Sequence, residues 1–282
     1  MRLSFYYNVD TGVLIAILFL LMVAAIILGR WLSRNRFSND HFKNPGNAAM
    51  LTSLYALLGL LLAFTFGMSG DRFRQRRLNI VDEAIAIETA ALRQHLYTDS
   101  VRPYFQRYFR EYLDARIAYF DAKSDTSKIR LALSQSQEAG NALWDMATFH
   151  FRHPVNHDAS VQMVPALNEM FAMANSRFWS ELNRTPSSIL TLLFLLCIAA
   201  AFAAGHASVG EVKFNWAMSL GFCALISSVI YFIIDLDRAR SGAITLEQNA
   251  KAISDLRRVI EKTPTPLFTI METHQSASLS KD

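Results

Sequence analysis

The residues that could do chemistry in this 282-residue chain are charged side chains placed directly beside long apolar runs. One cluster follows such a run immediately and consists of Asp71, Arg72, Arg74, Arg76 and Arg77. Arginines in this position commonly extend to lipid headgroups, which is the first interpretation. The alternative is an electropositive collar at the mouth of a pore, which would raise the local anion concentration. Both interpretations can hold together.

A second charged cluster follows another apolar run and consists of Asp235, Asp237, Arg238 and Arg240. Acidic side chains at a helix C-terminus oppose the helix dipole, so local helix energetics do not explain these aspartates. We therefore expect a salt bridge between them and the arginines at positions 72–77. A functional ion site is the alternative.

Two glutamates lie in the helix predicted after the first cluster. Glu88 occupies a position where the three-and-four spacing of the helix calls for an apolar residue, so its carboxylate needs a partner. An arginine or a helix terminus is the first candidate, and a gate, proton or ion site is the second. Glu83 lies on a neighbouring stripe, where we expect it to be more easily solvated.

The histidines at positions 150, 153 and 157 could in principle ligate a metal. No cysteine and only Asp158 lies nearby, so we interpret them as part of a solvated loop and expect no metal and no cofactor. The chain also lacks a phosphate-binding loop, a dinucleotide fingerprint, a nucleophile elbow and a zinc-protease motif. No catalytic constellation supports an enzyme, and we predict that the protein is not one.

Composition indicates a membrane protein. The chain is 52% hydrophobic and 18% charged, with a mean hydropathy of +0.18, whereas soluble domains carry about 25% charged residues. Residues 71–185 contain 15 Lys and Arg against 14 Asp and Glu, so this segment has no basic face for nucleic acid. Cys197 and Cys223 both lie in apolar runs, which excludes a disulfide framework.

Four uncharged stretches are long enough to cross a bilayer about 30 Å thick. They cover residues 12–29, 47–70, 186–205 and 214–234. The sequence therefore predicts an all-α integral membrane protein with four transmembrane helices in two hairpins. Residues 1–70 form the first hairpin, and residues 186–234 form the second. Residues 71–185 form a helical bundle that extends the membrane helices. Residues 235–282 form an amphipathic helix, at about 246–262, and a disordered tail.

Within residues 71–185 the apolar spacing predicts four helices, at about 71–97, 101–122, 127–151 and 159–183. No breaker separates the first of them from the second span, so both are expected to form one long helix. The second carries an aromatic stripe that is expected to be core. Its members are Phe105, Tyr108, Phe109, Tyr112 and Phe120.

The second span places Gly59, Ala63 and Gly67 four residues apart on one helical face. Such a stripe lets two helix backbones approach closely in lipid. Packing within the protein is the first interpretation, and an oligomer interface or pore-lining face is the second. The third span offers the same close packing through its alanines and Gly205.

Three stretches carry a resemblance to a known family: LGLLLAFTFGMSGDRFRQRR at 58–77, VDEAIAIETAALR at 81–93 and IIDLDRARSG at 233–242. With the order of two spans, helical segment and two spans, the chain resembles the bestrophin-like family of bacterial membrane proteins, named for bestrophin anion channels. The resemblance implies a homo-oligomer in the bacterial inner membrane that conducts an inorganic anion. It implies that the second span lines the pore, with Phe64 and Phe66 as candidate constrictions.

Two questions stay open at this level. Basic residues flank the spans on both sides, so the side of the membrane that residues 71–185 face is not fixed. The acidic calcium clasp of animal bestrophins has no counterpart in the sequence, so calcium gating is not expected.

A non-conducting scaffold or sensor, whose helical segment binds a partner, is the alternative to a channel.

Overall fold

The computed structural model of the chain describes residues 10–36, 45–208, 215–238, 253, 256 and 257. Within those ranges the regular structure is helical, and no strand is present. Seven α-helices and two short 3₁₀ helices make up the described fold. The α-helices are α1 (Thr11–Arg36), α2 (Pro45–Leu92), α3 (Arg102–Asp121), α4 (Thr126–Phe151), α5 (His157–Leu182), α6 (Ser187–Ala207) and α7 (Trp216–Asp237).

The predicted fold class is confirmed. Four helices in the described part of the chain, α1, α2, α6 and α7, are long and apolar enough to cross a membrane. The protein is an all-α membrane protein. Two of its helices begin at side-chain caps: the Asp125 side chain accepts hydrogen bonds from the N–H groups of Ser127 and Lys128 at the start of α4, and the Asn215 side chain accepts one from the N–H of Met218 at the start of α7.

Helix α2 is the longest element, with 48 residues. It runs from the second apolar stretch through the arginine cluster and past Glu88 without a break, as the lack of a breaker predicts. It ends at Leu92, where a 3₁₀ turn covers Arg93–Leu96. The predicted histidine loop is short, because His150 still belongs to α4 and His157 already opens α5.

The chain divides into two compact units. The first comprises Met1–Arg74 and Asn183–Ile244, and the second comprises Gln75–Leu182 and Thr245–Asp282. The core of the first unit is built from one face each of α1, α6 and α7. Its buried members include Met22, Ile26, Leu193, Cys197, Ala200, Ile226 and Ile230. Leu58 is the single buried residue that α2 adds to this core within the described ranges.

The second unit has an aromatic core. Phe105, Phe109 and Tyr112 of the predicted stripe are buried on α3, while Tyr108 and Phe120 are half-buried. Leu143 of α4 and Leu167 of α5 are also buried there. The core prediction for the stripe therefore holds for Phe105, Phe109 and Tyr112.

Some predictions fall largely outside the described residues. These are Arg240 of the second charged cluster, most of the amphipathic helix at 246–262, and the tail. Of that helix, three residues are described: Ile253 and Leu256 are buried, and Arg257 is exposed.

Candidate functional site

The candidate site is the part of α2 that forms the second predicted span, residues 47–70, which we call the membrane portion of α2. One face of this portion is buried through Leu58, Thr65 and Ser69. The residues on the opposite face, Ala63 and Gly67, are exposed. Apart from the adjacent residues and the nearby backbone of α2 itself, no heavy atom of the described residues lies within 4 Å of the position that a Cβ would take at Gly59 or Gly67. The small-residue stripe of α2 is therefore open.

Two other glycines of the first unit are in the opposite situation. A Cβ at Gly205 of α6 would overlap the carbonyl oxygen of Ile26 on α1. A Cβ at Gly29 of α1 would overlap the carbonyl oxygen of Phe202 and lie 3.0 Å from the nitrogen of His206. Helices α1 and α6 thus make the close backbone contact that small residues allow in lipid. The close packing expected from Gly205 is confirmed, whereas the described residues provide no such packing for Gly59 and Gly67.

The two phenylalanines that flank the stripe do not share a face. Phe64 is 63% exposed and Phe66 is 46% exposed. Because an α-helix turns about 100° per residue, side chains two positions apart lie on nearly opposite sides. Phe64 lies about 60° from Gly67 around the helix and Phe66 about 60° from Ala63, so the two rings border the open stripe from opposite sides. One pore axis can therefore be lined by Phe64 or by Phe66, but not by both from the same subunit.

The arginine cluster at the end of this portion is paired in a specific way. Arg72 donates a hydrogen bond of 2.7 Å to the hydroxyl of Thr185 and lies 3.5 Å from Asp237. The Thr185 backbone N–H donates to the other oxygen of Asp237 at 2.6 Å. The expected salt bridge between the two charged clusters is therefore present, and it joins the end of the second span to the end of the fourth within the first unit.

The other members of the two clusters differ in exposure. Asp71 and Arg74 form an exposed pair at 3.1 Å, and Arg77 is exposed. Arg76 is 1% exposed and donates to the backbone carbonyl of Ser180. The extension to lipid headgroups that the sequence suggests is therefore wrong for Arg76. Near the end of α7, Asp235 is buried and Arg238 is half-buried.

Glu83 is buried and lies at the centre of an ion-pair network in the second unit. Its Oε1 accepts a hydrogen bond from Nε of Arg116, and its Oε2 accepts one of 2.7 Å from Arg177. Burial of Glu83 opposes ionisation, but the charges and hydrogen bonds of the two arginines outweigh it and lower the pKa of the carboxyl. The expectation that Glu83 is easily solvated is wrong. Glu88 is also buried, as its place in the apolar pattern predicts.

The network continues through Glu181. This carboxylate accepts a hydrogen bond of 3.3 Å from Nε of Arg177 and one of 2.9 Å from the hydroxyl of Tyr119. Sequence reasoning did not identify Arg116 and Arg177 as partners of Glu83. A signal was present, because Arg116 follows the core residue Tyr112 by four positions and Arg177 follows the core residue Met170 by seven. Charged residues in buried stripes must pair, and these two arginines pair with the same carboxylate.

The histidines contribute no metal site in the part of the chain that the structure describes, since no group of three or more His, Cys, Asp and Glu residues there could hold a metal ion. His157 contacts the backbone carbonyl of Phe151 through Nδ1 at 2.7 Å. His150 contacts the side chain of Asn156 through Nδ1 at 3.5 Å. These contacts connect the ends of α4 and α5.

Comparison with solved structures identifies the fold. A bacterial bestrophin homologue from Klebsiella pneumoniae, carrying one tryptophan-to-alanine mutation, superimposes with a TM-score of 0.63 at 14% identity, over 89% of this chain and 97% of that chain. The chain has the bestrophin fold. A tyrosine-to-alanine variant of the Klebsiella homologue gives a TM-score of 0.56 at 16% identity, over 88% of this chain and 98% of that one. No protein-family model and no curated protein matches the sequence. The bestrophin fold agrees with the resemblance carried by the three sequence stretches.

Proposed function

We propose that the protein assembles with copies of itself around the open face of α2 and that the assembly conducts ions across the bacterial inner membrane, with inorganic anions as the leading substrate class. The observation that carries the proposal is that one face of α2 in its membrane portion is exposed and packs against none of the described residues. Within the first unit, α1, α6 and α7 pack together, while the membrane portion of α2 leaves Gly59, Ala63 and Gly67 open.

The chemistry of this face suits contact between helices. Lipid tails solvate apolar side chains as well as a protein core does, so exposure alone does not demand a partner. Small residues at four-residue spacing do favour one, because they permit close approach of backbones. The same chain already uses two such residues, Gly29 and Gly205, for an internal contact. A second copy of the chain is the simplest partner for the remaining stripe. If the stripe of one copy meets a different face of the next copy, the repeated contact generates a ring when the rotation between copies closes.

The preference for anions rests on the charges at the end of the same helix portion. Arg74 and Arg77 are exposed there, against the single exposed carboxylate of Asp71. Arg72 is held by Asp237 and contributes less to the local potential. In a ring of subunits this excess of positive charge repeats once per copy and raises the anion concentration near the axis. The bestrophin fold supports the same assignment.

The test is chloride efflux from liposomes that contain the purified protein. We expect efflux above that of empty vesicles, and loss of efflux in Gly67→Trp, which fills the open stripe. Gly221→Trp is the matched control, because Gly221 of α7 is also exposed and has no described heavy atom within 4 Å of its Cβ position. Absence of efflux at every pH and voltage, or equal loss in both variants, would contradict the proposal.

A non-conducting scaffold is the second candidate. The observation that favours it is the exposure of Phe149, Phe151 and Val155 around the turn between α4 and α5. Exposed apolar side chains of this kind can mark a protein-binding surface. Protein that is assembled but passes no ion would favour the scaffold over the channel.

A further inference from the structure

The second unit contains a cleft that the proposed conduction does not use. It lies between α4 and α5, has a volume of about 410 Å³, and reaches down to α3. Tyr112 and Arg116 of α3 are buried at its floor, and the half-buried rings of Phe171 and Phe178 form one wall. Phe171 is held in place by an edge contact with Tyr112, with ring centroids 6.3 Å apart. Small-molecule sites have volumes of about 300–1,000 Å³ and combine apolar walls with a few polar groups.

Arg116 brings an incompletely satisfied cation to this floor. Its side chain is 3% exposed, and its Nε donates to Glu83. Its terminal nitrogen Nη2 is buried without a hydrogen-bond partner among the described residues. A buried donor without an acceptor is unfavourable, and a charged donor more so. Arg116 lines the cleft through the small exposed part of its side chain, whereas Nη2 itself is closed to solvent. Because Glu83 holds the guanidinium, an acceptor in the cleft would meet a cation whose orientation is already fixed.

The polarity of the cleft lining favours an anion. The described residues that line it include one cation, Arg116, and no carboxylate. The amide side chains of Gln137, Asn141 and Asn175 are exposed at its edge and can donate hydrogen bonds. A second groove, on the opposite side of α4, has the reverse character, since Glu111, Asp114 and Glu138 line it.

We propose that this cleft binds a small organic carboxylate. Its carboxylate group accepts hydrogen bonds from Arg116 and an edge amide, and its apolar body packs against Phe171 and Phe178. A bare inorganic anion would leave the aromatic wall unused. A phosphate ester carries more negative charge than Arg116 can balance, because the Arg116 guanidinium also pairs with Glu83. The site lies wholly in the second unit, so it stands or falls independently of ion conduction.

The test compares benzoate with benzamide, which has the same shape but no charge, on the full-length protein in detergent by isothermal titration calorimetry. We expect benzoate to bind about tenfold more tightly or better, the gain of roughly one charge-assisted hydrogen bond. Asn141→Leu and Asn175→Leu are expected to weaken benzoate binding severalfold. Gln135→Leu, which changes an exposed residue that lines the second groove, is the matched control and should leave binding unchanged.

Arg116→Lys is the third variant of the cleft lining. Its melting temperature shows whether the protein still folds with the changed ion-pair network. A folded Arg116→Lys variant is expected to lose most benzoate affinity. If it does not fold, the two asparagine variants decide the result, since both asparagines are exposed. The proposal is overturned if wild-type protein does not bind benzoate at millimolar concentration or binds benzamide equally well. It is also overturned if both asparagine variants bind like wild type, or if chloride displaces benzoate at equal concentration, which would indicate a site for inorganic anions.

Discussion

Gly29 and Gly205 lie where two helix backbones touch, whereas Gly59 and Gly67 lie where none of the described residues touches α2. All four belong to apolar helices, and their local sequences look alike. The difference shows that a stripe of small residues predicts close contact without saying whether the contact is made within one chain or between chains. In this protein the α1–α6 contact is internal, and the α2 stripe is left open.

The same contrast appears along α2 itself. Its membrane portion buries little beyond Leu58, Thr65 and Ser69, while its continuation in the second unit buries Glu83 and Ile87 completely. Most side chains in the membrane portion of α2 are therefore exposed, whereas its continuation contributes to the core of the second unit. We expect substitutions in this continuation to change the stability of the subunit. We expect substitutions on the exposed face of the membrane portion to change assembly and conduction.

The largest effect is expected at Glu83. Glu83→Ala leaves Arg116 and Arg177 buried with an uncompensated charge, which should reduce the free energy of unfolding by about 3–5 kcal/mol. Asp82→Ala is the control, because Asp82 is exposed on the same helix and its loss should cost no more than about 0.5 kcal/mol. Denaturant titration of helical circular dichroism in detergent measures both. Equal midpoints would show that the network does not stabilise the subunit.

The next effect separates the two classes of glycine. Gly205→Ala places a methyl group against the Ile26 carbonyl, so overpacking should cost about 1–3 kcal/mol. Gly67→Ala meets no described atom and should leave the stability of the subunit within about 1 kcal/mol of wild type, because alanine is the better helix former. The same denaturant titration distinguishes them. A Gly67→Ala variant as unstable as Gly205→Ala would show that the stripe packs inside the subunit.

A pH effect follows from the lowered pKa of Glu83. A carboxyl whose pKa is lower in the folded than in the unfolded state adds stability above the unfolded value and loses it as pH falls through the folded value. We therefore expect wild-type stability to decline below pH 4.5, the ordinary pKa of the group. Glu83→Gln should be less stable at neutral pH and should lack this component of the decline. Unfolding midpoints between pH 3 and pH 7 would test it, and parallel curves for the two proteins would contradict it.

The smallest effect concerns the two phenylalanines beside the open stripe. If Phe64 narrows the pore, Phe64→Ala should raise the rate of chloride efflux, because a hydrophobic constriction limits wetting. Phe66 lies on nearly the opposite side of the helix, and Phe66→Ala should leave the rate near that of wild type. Efflux from liposomes with matched protein content measures both. A larger increase in Phe66→Ala would assign the constriction to the other face.

Much of the fold could be predicted from local patterns. Uncharged length indicated the spans, and the absence of breakers predicted that α2 continues past Gly70, because both features act within one helix. Partner choice could not be predicted in the same way. Glu83 and Glu88 lie on adjacent stripes, and the sequence does not say which stripe faces an arginine. Arg116 and Arg177 come from helices distant in the chain, so their pairing with Glu83 depends on tertiary packing that local patterns do not reveal. The exposure of Gly59 and Gly67 depends on tertiary packing too, because it is set by where α6 and α7 pack.

The most direct test of the central claim, that the open face of α2 is where copies of the chain meet, is the mass of the intact protein released from detergent micelles, measured by native mass spectrometry. Wild-type protein is expected at two or more times 31.8 kDa, the mass of one chain. Gly67→Trp is expected as a monomer, and Gly221→Trp is expected at the wild-type mass. A monomeric wild-type protein, or a Gly67→Trp variant that keeps the wild-type mass, would contradict the claim.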